Sequence, residues 1–207
     1  MLPEYNNIIL NRDIVYDFNP FGGITEEDIL DCIVPKYPLE EWIKLLNNDQ
    51  PIILQFVGKK GRGKTTHLRA LHQYFQEQDI YFLDRIDRKI AKKNSEIVFI
   101  DSIERIPAIK RYVLWFRKKT SYVITTHQTK TIEFQRSKRN YCSFSFEGIQ
   151  ISSLKDIISS RVHLVSNFPK EKIEVNMASL EKLVLHFDDD FRAILNYLYD
   201  SFKKTSK

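Results

Sequence analysis

The sequence predicts an α/β protein built on a mostly parallel five-stranded sheet between helices, and three observations carry that prediction. Four short apolar runs, "IILQFV" (52–57), "IYFL" (80–83), "EIVFI" (96–100) and "YVITT" (122–126), are rich in Ile, Val, Phe and Tyr and too short for a typical helix. They read as strands buried on both faces. Between them the apolar spacing becomes helical, at Leu68, Leu71 and Phe75 and again at Ile106, Ile109, Val113 and Phe116. Strands that alternate with helices pair in parallel, because parallel neighbours need a long crossover and a helix supplies it. The fifth strand has two candidates, "RVHLV" (161–165) and "YCSFSF" (141–146), which the pattern alone does not separate.

Outside this core, residues 1–50 read as an N-terminal arm and linker. It holds the turn-rich "FNPFGG", a helix around Thr25 to Cys32, and a second from Leu39 to Leu46 that starts after Pro38. Residues 51–168 form the core. In 169–207, Leu180, Leu183 and Val184 mark one helix, and Phe191, Ile194, Leu195, Leu198 and Phe202 follow a longer helical stripe. Together they predict a small C-terminal helical lid ending in a frayed "KKTSK" tail.

Composition sets bounds on function. The 207 residues are 43% hydrophobic and 29% charged, enough to bury a core. Thirty-two Lys and Arg against 27 Asp and Glu give a net charge of +5, which favours an anionic ligand without requiring nucleic acid. Cys32 and Cys142 have no metal-ligand spacing and read as reduced thiols. The opening "MLPEYNN" lacks the features of a secretory leader, and no apolar run approaches the ~20 residues that span a bilayer. The expectation is a cytoplasmic protein without membrane insertion.

The chemistry begins at "GKKGRGKT", Gly58-Lys59-Lys60-Gly61-Arg62-Gly63-Lys64-Thr65, followed by Thr66. It matches G-x-x-x-x-G-K-[ST] and stands between a predicted strand and a predicted helix, as the motif requires. Glycines let successive backbone N–H groups face phosphate oxygens, and the helix adds the positive end of its dipole. Lys64 would reach the β- and γ-phosphates of a nucleoside triphosphate, and the Thr65 hydroxyl would ligate Mg²⁺. Asp101 ends the apolar run "EIVFID", where a carboxylate at a strand's C-terminal edge can orient the same ion.

With "GKKGRGKT" as Walker A and "IVFID" as Walker B, the chain resembles the P-loop NTPases. The strand ending in "YVITTHQ", which supplies Thr125, Thr126 and His127, resembles the polar sensor strand of the ASCE division, which includes AAA+ and STAND ATPases. That resemblance implies an ATPase or ATP-driven switch with ATP and Mg²⁺ as ligands, an unknown protein partner and possible homo-oligomers. It implies Thr126 or His127 as the γ-phosphate sensor. "IISSRVHLV" is similar to the segment that carries a trans-acting arginine, implying Arg161, and "DDDFRAILNYLYDSF" is similar to the lid helix that carries a sensor arginine, implying Arg192. Phe21 and Gly22 in "NPFGG" would line the adenine pocket. Ser102 stands where many ASCE ATPases carry Glu, but "IDSIER" looks more like the D-x-x-[DE] arrangement of STAND and KAP NTPases, so Glu104 would orient water, with Asp84 or Asp87 as substitutes.

Two other classes compete. A small-molecule kinase uses the same phosphate loop with an acceptor pocket. A nucleic-acid-associated ATPase could use "KTIEFQRSKRN", where Lys130, Arg136, Lys138 and Arg139 lie near Phe134 and Tyr141, a mixture suited to phosphate contact and base stacking.

Overall fold

The computed structural model describes residues 2–84, 90, 95–166, 168–188 and 190–205. These form two compact units, one of residues 1–34, 61–63 and 148–207 and the other of residues 35–60 and 64–147.

The second unit holds a five-stranded, wholly parallel sheet. Its strands are β1 (Ile52–Val57), β2 (Asp79–Phe82), β3 (Ile97–Asp101), β4 (Ser121–Thr126) and β5 (Asn140–Ser145), in the spatial order β2-β3-β4-β1-β5. The central strands carry the apolar runs of the sequence, and Ile53, Leu54, Phe56, Phe99, Ile100, Val123 and Ile124 are fully buried. The "YCSFSF" candidate supplies β5. "RVHLV" is helical instead, because Leu154, Ile158, Val162 and Val165 form a buried stripe at helical spacing, which a five-residue window does not contain.

In chain order the helices are α1 (Ile29–Cys32), α2 (Leu39–Leu46), α3 (Lys64–His72), α4 (Ala108–Trp115), α5 (Thr131–Arg136), α6 (Ile151–Ser166), α7 (Met177–Phe187) and α8 (Phe191–Thr205). α2 buries Trp42 against the sheet, where its ring lies 4.5 Å from Phe56 and 5.3 Å from Phe144. On α4 the expected core stripe is reversed after Ile106. Ile109, Val113 and Phe116 are exposed, and the helix turns Arg111, Leu114 and Trp115 inward. The reversal follows from Glu133 on α5, which accepts hydrogen bonds from Arg111 Nε and Trp115 Nε1, each at 3.0 Å. A buried arginine needs such a partner, and the partner fixes which face of the helix goes in.

The first unit is helical. The N-terminal residues Tyr5, Ile8, Ile9 and Phe21 share one buried core with Leu154, Ile158, Leu180, Leu183, Ile194 and Leu198 from α6, α7 and α8. Ile9 bridges to Val175, and Tyr5 N donates to Ser201 Oγ at 2.7 Å. Lys203 to Thr205, expected in the frayed tail, lie in α8. Among the described residues no helix is long and apolar enough to cross a membrane.

Candidate functional site

The glycine loop follows β1 directly and ends in the first residue of α3. Gly61 and Gly63 have φ of 80° and 81°, a left-handed conformation that side chains resist and glycine adopts freely. Gly58 is required for a different reason: a Cβ there would lie 2.4 Å from the Phe146 carbonyl oxygen. Lys64 is 7% exposed, and its ammonium donates to the carbonyls of Gly58 at 2.7 Å and Lys59 at 2.6 Å, folding back over its own loop. Lys59 and Lys60 are exposed, and Thr66 is half-buried on α3.

Three oxygens meet at the C-terminal ends of the strands. Asp101 Oδ1 accepts from Thr65 Oγ1 at 2.8 Å and from Thr125 Oγ1 at 2.7 Å, joining the start of α3 to the ends of β3 and β4. Thr125 Oγ1 also accepts from Ser102 N at 2.8 Å. Ser102 adopts φ 63° and ψ 50°, an uncommon conformation for a residue with a side chain, immediately after Asp101. A carboxylate and two hydroxyls are hard oxygen donors of the kind Mg²⁺ takes, and Thr65 and Asp101, the two ligands expected for the ion, lie within hydrogen-bond distance of each other.

Thr125 rather than Thr126 completes this cluster. Side chains alternate across a strand, and the pairing of Ile100 with Ile124 brings Asp101 and Thr125 to one face. Thr126 points the other way, is fully buried, and closes the turn after β4 by donating to the Gln128 carbonyl at 2.8 Å. His127 is half-exposed, and its Nδ1 lies 2.7 Å from Glu104 Oε1. The other carboxylate oxygen, Glu104 Oε2, is buried and has no hydrogen-bond partner among the described residues. Of the two substitutes, Asp84 is exposed and Asp87 lies outside the described residues.

Sequence reading also passed over Gln55, which sits fully buried in the apolar run of β1. Its Nε2 donates to Thr129 Oγ1 at 3.1 Å and Ser143 Oγ at 2.7 Å, and its Oε1 accepts from Lys130 N at 2.5 Å. It thereby fixes the turn that carries His127. The signal was a lone polar residue in the middle of a buried strand, which must find partners.

The first unit holds the remaining candidates. Arg161 is 6% exposed and donates to the carbonyls of Pro20 at 3.2 Å and Gly22 at 3.0 Å. This corrects the expectation of an outward-reaching finger: the guanidinium braces the "NPFGG" turn, and burial lowers its pKa. Phe21 is buried with its ring 5.9 Å from that of Tyr5. Arg192 is exposed on the first turn of α8. Arg62 bonds to the Asp188 carbonyl, and the Asp190 carboxylate packs so closely on Gly61 that a Cβ there would lie 1.9 Å from Oδ1.

In the stretch considered for nucleic acid, Arg136 and Lys138 are exposed, but two of the named side chains are committed to structure. Phe134 is fully buried, its ring 5.2 Å from Trp115. Arg139 is 6% exposed and donates to the carbonyls of Arg117 and Thr120 at 2.6 and 2.5 Å, capping the chain that leaves α4. Neither side chain is presented for phosphate contact or stacking, which corrects that part of the reading.

With β4 lying between β1 and β3, the glycine loop after β1 and Asp101 ending β3, the architecture is an α/β fold of the P-loop NTPase type. Two solved structures similar to the chain are a DNA replication initiation factor and a single-site variant of RuvB from Thermotoga maritima. The first is 11% identical with a TM-score of 0.46 over 81% of this chain, and the second 16% identical with a TM-score of 0.49 over 83%. The matched regions span 66% and 58% of those two chains. No protein-family model and no curated protein sequence matches.

Proposed function

We propose that the chain binds Mg²⁺ and ATP through its glycine loop and hydrolyses the nucleotide, acting as an ATPase or nucleotide switch for a protein partner. The observation that carries this reading is the convergence of Thr65 and Thr125 on Asp101, in a chain where the loop leading to Thr65 has glycines with left-handed φ. A structural turn has no need of a buried lysine followed by a hydroxyl tied to a strand-end carboxylate.

Bound there, Mg²⁺ supplies charge neutralisation for the phosphate oxygens. Thr65 and Asp101 would hold it, and Lys64 would exchange its two loop carbonyls for phosphate oxygens, a charge-assisted and stronger pairing. Glu104 would orient the attacking water through Oε2, which has no hydrogen-bond partner among the described residues, while His127 fixes the carboxylate through Oε1. His127 is then a positioning residue. Thr125 would link the sheet end to the ion by its bond to Asp101.

The reading is tested by measuring Mg·ATP affinity and phosphate release in one sample of the protein and of its Lys64→Ala variant. Binding and release that both disappear in the variant establish the ATPase. Binding without release supports the switch, and no binding by the parent removes the proposal.

A further inference from the structure

The two faces of α4 differ in a way that the nucleotide chemistry does not use. Ile109 is 82% exposed, Val113 58% and Phe116 65%. Their spacing of four and three residues places them in one row about 10 Å long at 1.5 Å per residue. Single exposed apolar residues are ordinary, but a row of three large ones on a fixed helix is a ridge left without a partner among the described residues. The helix cannot roll it inward. Arg111 and Trp115 are tied to Glu133, and the Leu114 carbonyl accepts from Tyr122 Oη at 3.1 Å.

The charge along this part of the chain is of one sign. From Arg105 to Ile132 the sequence contains no Asp or Glu. Lys110 lies on the helix beside the ridge, and Arg117, Lys118 and Lys119 follow its C-terminal end, where Lys118 reaches the carbonyls of Ser137 and Lys138. An apolar row of two helical turns with a basic border matches the requirements of helix packing, in which ridges of one helix enter grooves of another and flanking charges select the partner. Nucleic acid would have no use for the Ile-Val-Phe row.

We propose that α4 is the docking surface for an amphipathic, acidic helical segment of a partner protein, with Ile109, Val113 and Phe116 as its anchors. The surface is independent of the nucleotide site and does not rest on the proposed ATPase activity.

The test uses the full chain and a labelled synthetic peptide of about 18 residues, roughly five helical turns, with Leu at i, i+4 and i+7 and Glu on the flanking positions. A second peptide replaces each Glu by Lys, and a third is scrambled. The expected result is saturable binding of the acidic peptide alone, weakened by added salt and by about tenfold or more, equivalent to at least 1.4 kcal/mol, in the double variant Val113→Ser, Phe116→Ser. Both positions are exposed, so the variant should keep the parent's unfolding midpoint, which is measured alongside. No binding, equal binding of the Lys peptide, or unchanged binding by the variant overturns the proposal. So does a parent dimer in sedimentation that the variant loses, which assigns the ridge to a second copy of the chain. Binding to phosphatidylserine vesicles without binding to the peptide also overturns it and assigns the ridge to a membrane surface.

Discussion

Glu104 and His127 form a pair in which one carboxylate oxygen lies 2.7 Å from the imidazole Nδ1 and the other is buried with no hydrogen-bond partner among the described residues. An acceptor left open in this way is unusual, because buried oxygens are nearly always satisfied. Glu104→Gln is therefore expected to retain ATP binding while phosphate release falls by about 10²- to 10⁴-fold, the usual loss when a positioned base is removed. Equal release by parent and variant would remove Glu104 from the reaction.

Asp101→Asn removes the shared charged acceptor of Thr65 and Thr125. The expected outcome is a loss of the Mg²⁺ dependence of nucleotide affinity. Thr126→Val should leave that dependence intact, since the Thr126 hydroxyl bonds to Gln128 in its own turn and not to Asp101. Titrations with and without Mg²⁺ separate the two variants, and identical behaviour would argue against the role given to Thr125's face of the strand.

Gly58→Ala places a methyl group 2.4 Å from the Phe146 carbonyl oxygen, a backbone atom that cannot swing aside. Overpacking of this kind costs about 1–3 kcal/mol. An unfolding free energy lowered by that amount, read from the denaturant midpoint and slope, is expected, with nucleotide affinity reduced in parallel.

Acid should weaken the α4–α5 contact. Burial alone would raise the Glu133 pKa, but hydrogen bonds from Arg111 and Trp115 and the Arg111 charge outweigh it, leaving the net value below the ordinary 4.5. A carboxylate with a lowered folded pKa contributes stability that is complete above its unfolded value and is lost as pH falls through the folded one. Glu133→Gln should accordingly be less stable than the parent at neutral pH by roughly 2 kcal/mol, a figure for a hydrogen-bonded charge, and the gap should close in acid. Urea midpoints from neutral to acidic pH check this.

Ser102→Gly is expected to preserve or raise stability by up to about 1 kcal/mol, because glycine relieves the left-handed φ of 63°. Ser102→Val should destabilise the chain, since a branched Cβ tolerates that conformation poorly. Thermal midpoints of the two variants give the comparison.

The sequence was most legible where burial is local in the chain. Apolar runs marked β1, β3 and β4 because central strands are buried on both faces, and the glycine spacing marked the loop because its conformation is local. It was least legible where a distant partner decides. Arg111 goes inward because Glu133 awaits it, a relation between two helices that periodicity on α4 cannot register. Arg161 reads as a surface arginine until the carbonyls of Pro20 and Gly22 are brought to it. The choice between Thr125 and Thr126 was within reach, since it depends only on strand alternation counted from Asp101.

The bond from Tyr5 N to Ser201 Oγ joins residues 196 positions apart, and this orders events on the ribosome. Every residue of the sheet unit has been made by Glu147, whereas Tyr5, Ile8 and Ile9 wait for α7 and α8 before their shared core can close. Residues 148–207 take roughly 3–12 s to add at 5–20 residues per second. Throughout that interval Tyr5, Ile8 and Ile9 lack the core they later share, so the newborn chain offers chaperones a target that the folded unit hides.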